Sequence, residues 1–280
     1  MPQPEVCDDR LASAQAVLGN CTLPKREARV LLAHALGVSR ERLIAHPEHP
    51  IDECARARFA RLIKERARGI PMAYLLGVQE FYGRLMSVTP AVLVPRPETE
   101  ILVQTALRLL DGRPMARVLE LGTGSGCIAI AIALERPDLQ IVATDRSTAA
   151  LQVARENCNR LGAALQLLAG DWYAPLQGRF DLILSNPPYI RVADEHLPQL
   201  RFEPRAALTD EGDGLISLRT IVAGASEYLT PGGHLLVEHG YDQAAAVREL
   251  MLCHGLAKVC TLHDLAGHER ACLGQKPGQT

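Results

Sequence analysis

Short apolar runs alternate with helical segments from Ala116 onward, and this alternation limits the possible folds more than any other feature. Runs of strand length lie at residues 117–121, 140–144, 165–169 and 180–184. Further strands are predicted at 234–238, 257–261 and 270–273, the last two as a hairpin. Strands separated by helices form parallel sheets, because the crossover returns the chain to the same edge. The sequence therefore predicts an α/β fold with a doubly wound, mostly parallel, seven-stranded sheet.

A glycine-rich turn follows the first of these strands. It consists of Gly122, Thr123, Gly124, Ser125 and Gly126, and a helix is predicted directly after it at residues 127–134. Glycines at this point allow backbone amides and a helix N-terminus to approach a ligand closely. The turn therefore predicts a cofactor site.

An acidic residue, Asp145, ends the second strand, about twenty residues after the turn, where a carboxylate can bind ribose hydroxyls. NAD is the obvious competitor, but its G-x-G-x-x-G turn requires glycine where Cys127 stands. No G-K-[ST] sequence for a nucleoside triphosphate is present either. S-adenosylmethionine fits better, because it has a ribose and no pyrophosphate; its product would be S-adenosylhomocysteine.

Asp171 and Trp172 follow the third strand at the same edge of the predicted sheet. The acid could hydrogen-bond to the adenine, and the indole, from the chain's single tryptophan, could stack on it. A helix cap and a core aromatic are the alternative interpretation of this pair.

The segment Asn186, Pro187, Pro188 and Tyr189 follows the fourth strand, at the edge where open α/β sheets bind ligands. Consecutive prolines make it stiff and leave two positions without an N–H. The Asn186 side-chain oxygen and the Pro187 carbonyl could each accept one N–H of a planar amine or amide, while Tyr189 packs on its flat face. We predict catalytic roles for Asn186, Pro187 and Tyr189, substrate binding by all four residues, and a cofactor contact for Asn186.

Two further segments are each open to two interpretations. Arg96 lies between two prolines, and could either clamp the Asn-Pro-Pro-Tyr segment or pair with a glutamate. A long loop is predicted at residues 191–212, and loops of this length are usually functional or mobile.

Residues 1–75 predict a smaller, all-helical domain, because apolar residues recur at helical spacing in Lys25–Leu36 and in residues 52–68. A hairpin connector is predicted at 76–90, followed by the catalytic domain at 91–280. The helix at 52–68 is rich in arginine. This pattern fits a solvated face, or a surface that docks an acidic protein or RNA.

The composition excludes several classes. A net charge of −2 gives no general attraction to nucleic acid or to anionic lipid. No apolar run could span a bilayer, and the first residues resemble neither a signal nor a transit peptide, so we expect a cytoplasmic protein. The eight cysteines include no C-x-x-C pair, and the cysteines and histidines of the tail have no common zinc spacing, so we expect no metal.

Taken together, six segments resemble the peptide chain release factor glutamine methyltransferases. They are Glu-Phe-Tyr-Gly at 80–83, Pro-Arg-Pro-Glu-Thr-Glu at 95–100, the glycine turn at 122–126, Asn-Pro-Pro-Tyr at 186–189, Phe-Glu-Pro-Arg at 202–205 and Asp-Leu-Ala-Gly-His-Glu-Arg at 264–270. The resemblance covers nearly the whole chain. It implies a class I, Rossmann-like enzyme that methylates the side-chain amide nitrogen of the glutamine in the Gly-Gly-Gln motif of class 1 release factors, and so modulates translation termination.

The resemblance also implies the roles of individual parts. The cofactor turn corresponds to Gly122–Gly126, the ribose acid to Asp145, the adenine-side aromatic to Trp172 and the amide-holding loop to Asn186–Tyr189. The helical domain would help to dock the release factor, and the enzyme would be a monomer that requires no nucleic acid and no membrane. In Glu238-His239-Gly240 an apolar residue is expected before the glycine, so the role of this turn stays open.

Two other functions remain possible on the sequence. A methyltransferase for the exocyclic amine of adenine or cytosine in DNA or RNA would act on a similarly planar, conjugated nitrogen, but it needs base flipping and a basic channel. The near-neutral charge argues against it, whereas the arginine-rich helix keeps it open. A non-catalytic binding module is the second; failure to bind the cofactor would favour it.

Overall fold

The structure is a computed structural model and describes residues 12–278. The chain divides into two compact units, Met1–Leu76 and Gly77–Thr280. Two sequence-based expectations fall partly outside the described residues: the start of the helical domain predicted at 1–75, and the absence of a targeting peptide.

The first unit is helical apart from one short strand pair in its described residues. Its elements are β1 (Ala12–Ser13), α1 (Ala14–Gly19), α2 (Lys25–Leu36), α3 (Arg40–Ala45), β2 (Pro50–Ile51), α4 (Glu53–Ala67) and α5 (Met72–Leu76). Leu31 and Leu32 of α2 pack with Phe59 and Leu62 of α4 in the core of this unit. The Asp52 carboxylate caps α4 by accepting a hydrogen bond from the Ala55 N–H at 2.6 Å, as its position before the helix predicts.

The second unit begins with a hairpin and continues with alternating strands and helices. Its elements are β3 (Val78–Phe81), β4 (Arg84–Ser87), α6 (Glu100–Leu109), β5 (Arg117–Leu121), α7 (Cys127–Glu135), β6 (Gln140–Asp145), α8 (Thr148–Leu161), β7 (Gln166–Ala169), β8 (Phe180–Ser185), α9 (Arg205–Leu208), α10 (Ile216–Tyr228), β9 (Leu229–Glu238), α11 (Ala244–Cys253), β10 (Ala257–His263) and β11 (Glu269–Gln275). Short 3₁₀ turns lie at Pro97–Thr99 and Leu197–Leu200.

Seven strands form one sheet in the order β10-β11-β9-β8-β5-β6-β7. Neighbouring strands from β9 to β7 are parallel, and β11 runs antiparallel to both β9 and β10. This confirms the predicted doubly wound, mostly parallel sheet. Strand order reverses between β5 and β8, so the two strands on either side of this point lead to helices on opposite faces.

The helices cover both faces of the sheet. One core cluster joins α6 and α7 to the strand residues Val118 and Leu182, and a second joins α10 and α11 to Leu119 and Ile183. Adjacent strand residues thus point to opposite faces, and both are fully buried. This double burial explains why the strands are nearly continuous apolar runs in the sequence.

Two predicted connections differ from the structure. Residues 231–233, Pro-Gly-Gly, have the composition of a turn but are part of β9. The pairing of β9 with β8 jumps from Phe180–Leu229 to Leu182–His234, and the backbone of Gly232 and Gly233 bonds instead to Lys276. The long loop at 191–212 contains a 3₁₀ turn and α9, and an isolated parallel bridge joins Ile190 to Thr209. Helix α8 was not predicted individually from the sequence.

Candidate functional site

A cavity of about 730 Å³ lies at the carboxyl edge of the sheet. Its walls are the segments that follow β5, β6, β7 and β8, together with parts of residues 91–96 and 204–211. Small-molecule sites typically have volumes of about 300–1,000 Å³ and occur where strand order reverses in α/β sheets. The cavity therefore has the position and size of a cofactor and substrate site.

The glycine turn forms one wall and depends on glycine in two ways. Gly122, Gly124 and Gly126 have φ angles of 72°, 56° and 81°, which other residues rarely adopt. A Cβ on Gly126 would lie 2.9 Å from Ile130 Cδ1 and 3.2 Å from Ala154 Cβ, so Gly126 is needed for packing behind the cavity. A Cβ on Gly124 would meet nothing within 4 Å, so this side of the turn faces open space that a ligand can fill.

The Asp145 carboxylate is fixed beside this turn. Its Oδ2 accepts a hydrogen bond from the Gly124 N–H at 2.9 Å, and its Oδ1 accepts one from the Ser147 N–H at 2.8 Å. Each carboxylate oxygen can accept a further hydrogen bond. The side chain lines the cavity in a held orientation that suits a hydroxyl donor such as a ribose.

Asp171 and Trp172 line the same cavity. Asp171 is exposed, whereas Trp172 is half-buried and packs against the core cluster of α10 and α11. The Trp172 backbone has a φ of 45°, and its ring lies 3.6 Å from the point that a Gly122 Cβ would occupy. The indole thus borders the glycine turn, and the buried core aromatic of this segment is its neighbour, Tyr173.

Asn186 and Pro188 line the same cavity as the glycine turn. The Asn186 side-chain Nδ2 donates to Thr99 Oγ1 at 3.2 Å, which leaves Oδ1 as the group of this carboxamide that can accept an N–H. Gly126, Pro187 and Tyr189 are outside the set of lining residues, and Pro187 is buried. Predicted site residues are therefore divided between the wall of the cavity and the layer behind it.

Tyr189 lies in that second layer. Its ring packs against the core, and its hydroxyl donates to Glu238 Oε1 at 3.1 Å. The contact expected between this ring and a substrate is thus not visible in the cavity wall. Burial raises the pKa of Glu238 to about 7, although the nearby hydroxyls of Thr99 and Tyr189 act to lower it.

Glu120 is a site residue that the sequence analysis missed. It lies in β5, is 1% exposed and lines the cavity. Its Oε2 accepts hydrogen bonds from the Thr123 hydroxyl at 2.6 Å and from the Ala129 N–H at 3.1 Å. Burial raises the pKa of Glu120 to about 8 against the effect of these bonds. The signal in the sequence was an acid within a buried strand, Arg-Val-Leu-Glu-Leu at Arg117–Leu121.

Arg96 forms an ion pair with Glu203, and this settles which of the two predicted interactions it makes. Glu203 is buried, and its other oxygen accepts a hydrogen bond from the Val94 N–H at 3.0 Å. One carboxylate thus joins the segment around residues 94–96 to the Phe-Glu-Pro-Arg segment at 202–205. These two segments form adjacent parts of the cavity wall.

Residues 12–278 contain no group of three or more His, Cys, Asp or Glu side chains arranged to hold a metal ion. The seven cysteines in this range are all free, and Cys272 is buried against His239. Within the same range, no helix has both the length and the apolar character needed to cross a bilayer.

The two buried carboxyls predict a specific dependence of stability on pH. The folded protein holds the protons of Glu120 and Glu238 more tightly than the unfolded chain does, because both pKa values rise from 4.5. Their contribution is present at low pH and is lost as the pH rises through about 7 and about 8. We expect the free energy of unfolding to fall by up to several kcal/mol between about pH 4.5 and 8, where the unfolded chain has lost these protons and the folded protein still holds them.

Urea unfolding at a series of pH values measures this slope, with Glu120→Gln as the comparison. The variant should flatten the curve above about pH 7, since its amide cannot ionise. A stability that rises over this range, or an unchanged slope in Glu120→Gln, would contradict the assignment.

Two family models match the chain: the PrmC N-terminal domain over residues 9–77, and the methyltransferase small domain over residues 97–245. The chain is 53% identical to the release factor glutamine methyltransferase of Burkholderia pseudomallei, over 95% of this chain and 97% of that protein. It is also 53% identical to the release factor glutamine methyltransferase of Bordetella pertussis, over 92% of this chain and 97% of that protein.

A solved methyltransferase from Pyrococcus furiosus has the same fold, with a TM-score of 0.51 at 19% identity over 79% of this chain and 98% of that one. The sequence matches span both units of the chain, and the structural match agrees with the doubly wound sheet. The chain belongs to the release factor glutamine methyltransferase family.

Proposed function

We propose that the chain transfers a methyl group from S-adenosylmethionine to the side-chain amide nitrogen of the glutamine in the Gly-Gly-Gln motif of class 1 peptide chain release factors. Membership of the family supports this. The main structural support for this function is the position of Asn186, which lines the same cavity as the glycine turn and Asp145. Thr99 holds its Nδ2, so Oδ1 is available for an N–H of the substrate.

The residues present fit the cofactor. The open side of Gly124 provides room beside the turn, and the cavity is large enough for a cofactor together with an amino-acid side chain. We assign the ribose to Asp145 and the adenine to Asp171 and Trp172. Gly122, Thr123, Gly124, Ser125 and Gly126 would surround the remainder, with a further contact from Asn186. When bound, S-adenosylmethionine supplies an electrophilic methyl group.

The substrate nitrogen requires orientation because its lone pair is delocalised into the amide. Asn186 Oδ1 and the Pro187 carbonyl would each accept one of its N–H groups, and thereby turn the nitrogen toward the methyl donor. Pro188 and Tyr189 would keep the loop rigid around it. The proton then leaves to water, since no base lies within the Asn-Pro-Pro-Tyr segment.

The helical unit would dock the release factor, and α4 offers a chemical basis for this. Its exposed side includes Arg58, Arg61 and Lys64, whereas Arg66 is held in an ion pair with Glu27. A cavity beside Arg58 and Arg61 is also lined by His34 and Leu62. A basic surface of this kind suits an acidic protein segment. We further propose that the enzyme acts as a cytoplasmic monomer without nucleic acid.

Mass spectrometry of a release factor, incubated with the purified chain and S-adenosylmethionine, tests this function. One added methyl group on the glutamine of the Gly-Gly-Gln motif is expected, and none on a release factor in which alanine replaces that glutamine. Parallel incubations with DNA and with RNA should give no methylation. Methyl transfer to nucleic acid, or no binding of the cofactor in a titration, would favour one of the other functions.

Replacing the amide that holds the substrate should reduce turnover. In Asn186→Ala we expect kcat to fall by about 10²–10³-fold, because an oriented polar contact at the reacting group is lost. Steady-state kinetics with release factor measure it, and the exposed Asn159→Ala on α8 is the matched control. A kcat close to that of the original chain in Asn186→Ala would refute the assignment.

Changing the proposed ribose acid should weaken cofactor binding. In Asp145→Asn the side chain keeps one acceptor oxygen but loses its charge and an acceptor, so Kd should rise by about 10-fold or more. Calorimetric titration should show the effect for S-adenosylmethionine and S-adenosylhomocysteine alike. Asp138→Asn, which alters an ion pair with Arg136 outside the cavity, should leave both Kd values unchanged.

A further inference from the structure

Gln243 is a buried side chain behind the wall of the cavity. It directly precedes α11, is 4% exposed and is outside the set of lining residues. Its Nε2 donates to the Tyr189 carbonyl at 3.0 Å and to the Gly214 carbonyl at 3.3 Å. Its Oε1 accepts a hydrogen bond from the Gly240 N–H at 2.8 Å. One carboxamide therefore joins the end of the Asn-Pro-Pro-Tyr segment to two other loops.

The orientation of this carboxamide follows from its partners. Backbone carbonyls can only accept hydrogen bonds, so the amide nitrogen of Gln243 must face Tyr189 and Gly214. A backbone N–H can only donate, so the amide oxygen must face Gly240. A carboxylate of the same length could keep the bond from Gly240 but could not donate to the two carbonyls. The position thus requires a donor and an acceptor on one side chain.

Gly214 allows the close approach of these groups. Its φ angle is 79°, and a Cβ at this position would lie 2.3 Å from the Tyr189 carbonyl oxygen and 2.9 Å from Gln243 Nε2. The first of these atoms belongs to the backbone, so a side chain at residue 214 could be accommodated only by moving one of the two segments. The loop before α10 is therefore packed against the same carbonyl that Gln243 holds.

The two prolines make the end of the Asn-Pro-Pro-Tyr segment important for its shape. Pro187 and Pro188 have fixed φ angles, but they carry no N–H that could hold the segment by a backbone hydrogen bond. The direction of the Pro187 carbonyl then depends on the few remaining backbone angles, which contacts of the flanking residues limit. Tyr189 provides two such contacts: Gln243 holds its carbonyl, and its hydroxyl donates to Glu238 Oε1 at 3.1 Å.

We propose that Gln243 is a positioning residue for methyl transfer: by holding the Tyr189 carbonyl, it sets the backbone of the Asn-Pro-Pro-Tyr segment so that the Pro187 carbonyl can accept an N–H of the substrate amide. Because Gln243 lies outside the cavity wall, it acts through the segment and not by contact with the substrate. This inference rests on the function proposed above for the segment.

The cofactor side of the cavity is held by other groups. The glycine turn follows β5 and Asp145 ends β6, and Asp145 accepts its hydrogen bonds from Gly124 and Ser147. The side chain of Gln243 bonds instead to the loops after β8, before α10 and after β9. Changes at Gln243 should therefore affect the transfer step and leave cofactor binding unchanged.

Two substitutions of Gln243 test the proposal. Gln243→Met keeps the length of the side chain but loses all three hydrogen bonds, whereas Gln243→Glu keeps only the bond from Gly240. In both we expect kcat to fall by about tenfold or more, because small displacements of a group that orients the substrate are costly. The Kd for S-adenosylmethionine should stay within about twofold of the original, which a general loss of structure would not allow.

Gln275→Met is the matched control for these variants. Gln275 donates its Nε2 to the Gly232 carbonyl at 3.0 Å and is outside the set of cavity-lining residues, so its replacement should change neither kcat nor Kd. A kcat close to the original in Gln243→Glu would show that the two donated bonds do not matter, and would overturn the proposal.

Gly214→Ala disturbs the same carbonyl from the other side, and it keeps the proposal testable should the Gln243 variants fail to fold. We expect a lower kcat, whereas Gly162→Ala, with a φ of 74° but nothing within 4 Å of its Cβ, should keep the original kcat. Combined with Gln243→Met, Gly214→Ala should lower kcat by little more than the larger single effect. Two effects that multiply would indicate independent damage and would contradict the proposal.

Hydrogen–deuterium exchange of the free protein gives a readout that does not depend on methyl transfer. The Ile190 amide shares a peptide unit with the Tyr189 carbonyl and donates to the Leu208 carbonyl at 2.9 Å. It should exchange faster in Gln243→Met but not in Gln275→Met. Unchanged exchange would show that Gln243 does not hold the segment, and would overturn the proposal. If the original chain does not methylate release factor at all, the proposed function fails instead, so the two failures are distinguishable.

Discussion

The parallel pairing of β5 with β8 is the constraint on which the site depends. Leu121 and Ser185, the last residues of the two strands, are register partners, and the Ser185 hydroxyl donates to the Leu121 carbonyl at 2.7 Å. The next residue of one strand begins the glycine turn, and the next residue of the other is Asn186. Both turns therefore leave the sheet at the same level, on either side of the point where strand order reverses. A shift of this register by one residue would separate the proposed cofactor wall from the proposed substrate wall.

Two buried carboxyls accept hydrogen bonds from residues of the site, and their burial lowers the stability of the folded state when they ionise. Glu120 accepts from the Thr123 hydroxyl within the glycine turn, and Glu238 accepts from Tyr189 beside Asn186. Burial raises both pKa values, so ionising either group weakens the folded state. Apolar residues at these positions would avoid this cost, but they would leave the two hydroxyls without these acceptors. Functional sites commonly retain such locally unfavourable groups.

The sequence predicted those features that depend on neighbouring residues. Apolar runs bounded by turn residues located β5, β6, β7 and β8, and Asp52 located the start of α4. It could not predict pairings between distant segments. Arg96 and Glu203 are far apart in the chain, and Asn186 meets Thr99 only after the sheet has formed. Such contacts depend on tertiary packing, which has no local pattern in the sequence.

The sequence also did not indicate which of the predicted site residues line the cavity and which lie behind its wall. Asn186 and Tyr189 belong to one short segment, yet only the first lines the cavity. The backbone path after β8 determines which side chain faces the ligand. The two prolines restrict this path, but their presence in the sequence does not indicate which side chains face the cavity. The bulge within β9 was missed for a related reason: its glycines and proline indicate a turn, whereas backbone bonds to Lys276 hold the residues in the sheet.

The link between Arg96, Val94 and Glu203 has a consequence for exchanging parts between related enzymes. Glu203 is almost completely enclosed, and its two oxygens bind the Arg96 guanidinium and the Val94 N–H, both from the segment before α6. A chimera that received residues 202–205 without residues 94–96 would enclose an anion with no cation to match it. These two segments are distant in the chain, but they must therefore be exchanged together in any chimera that alters this cavity.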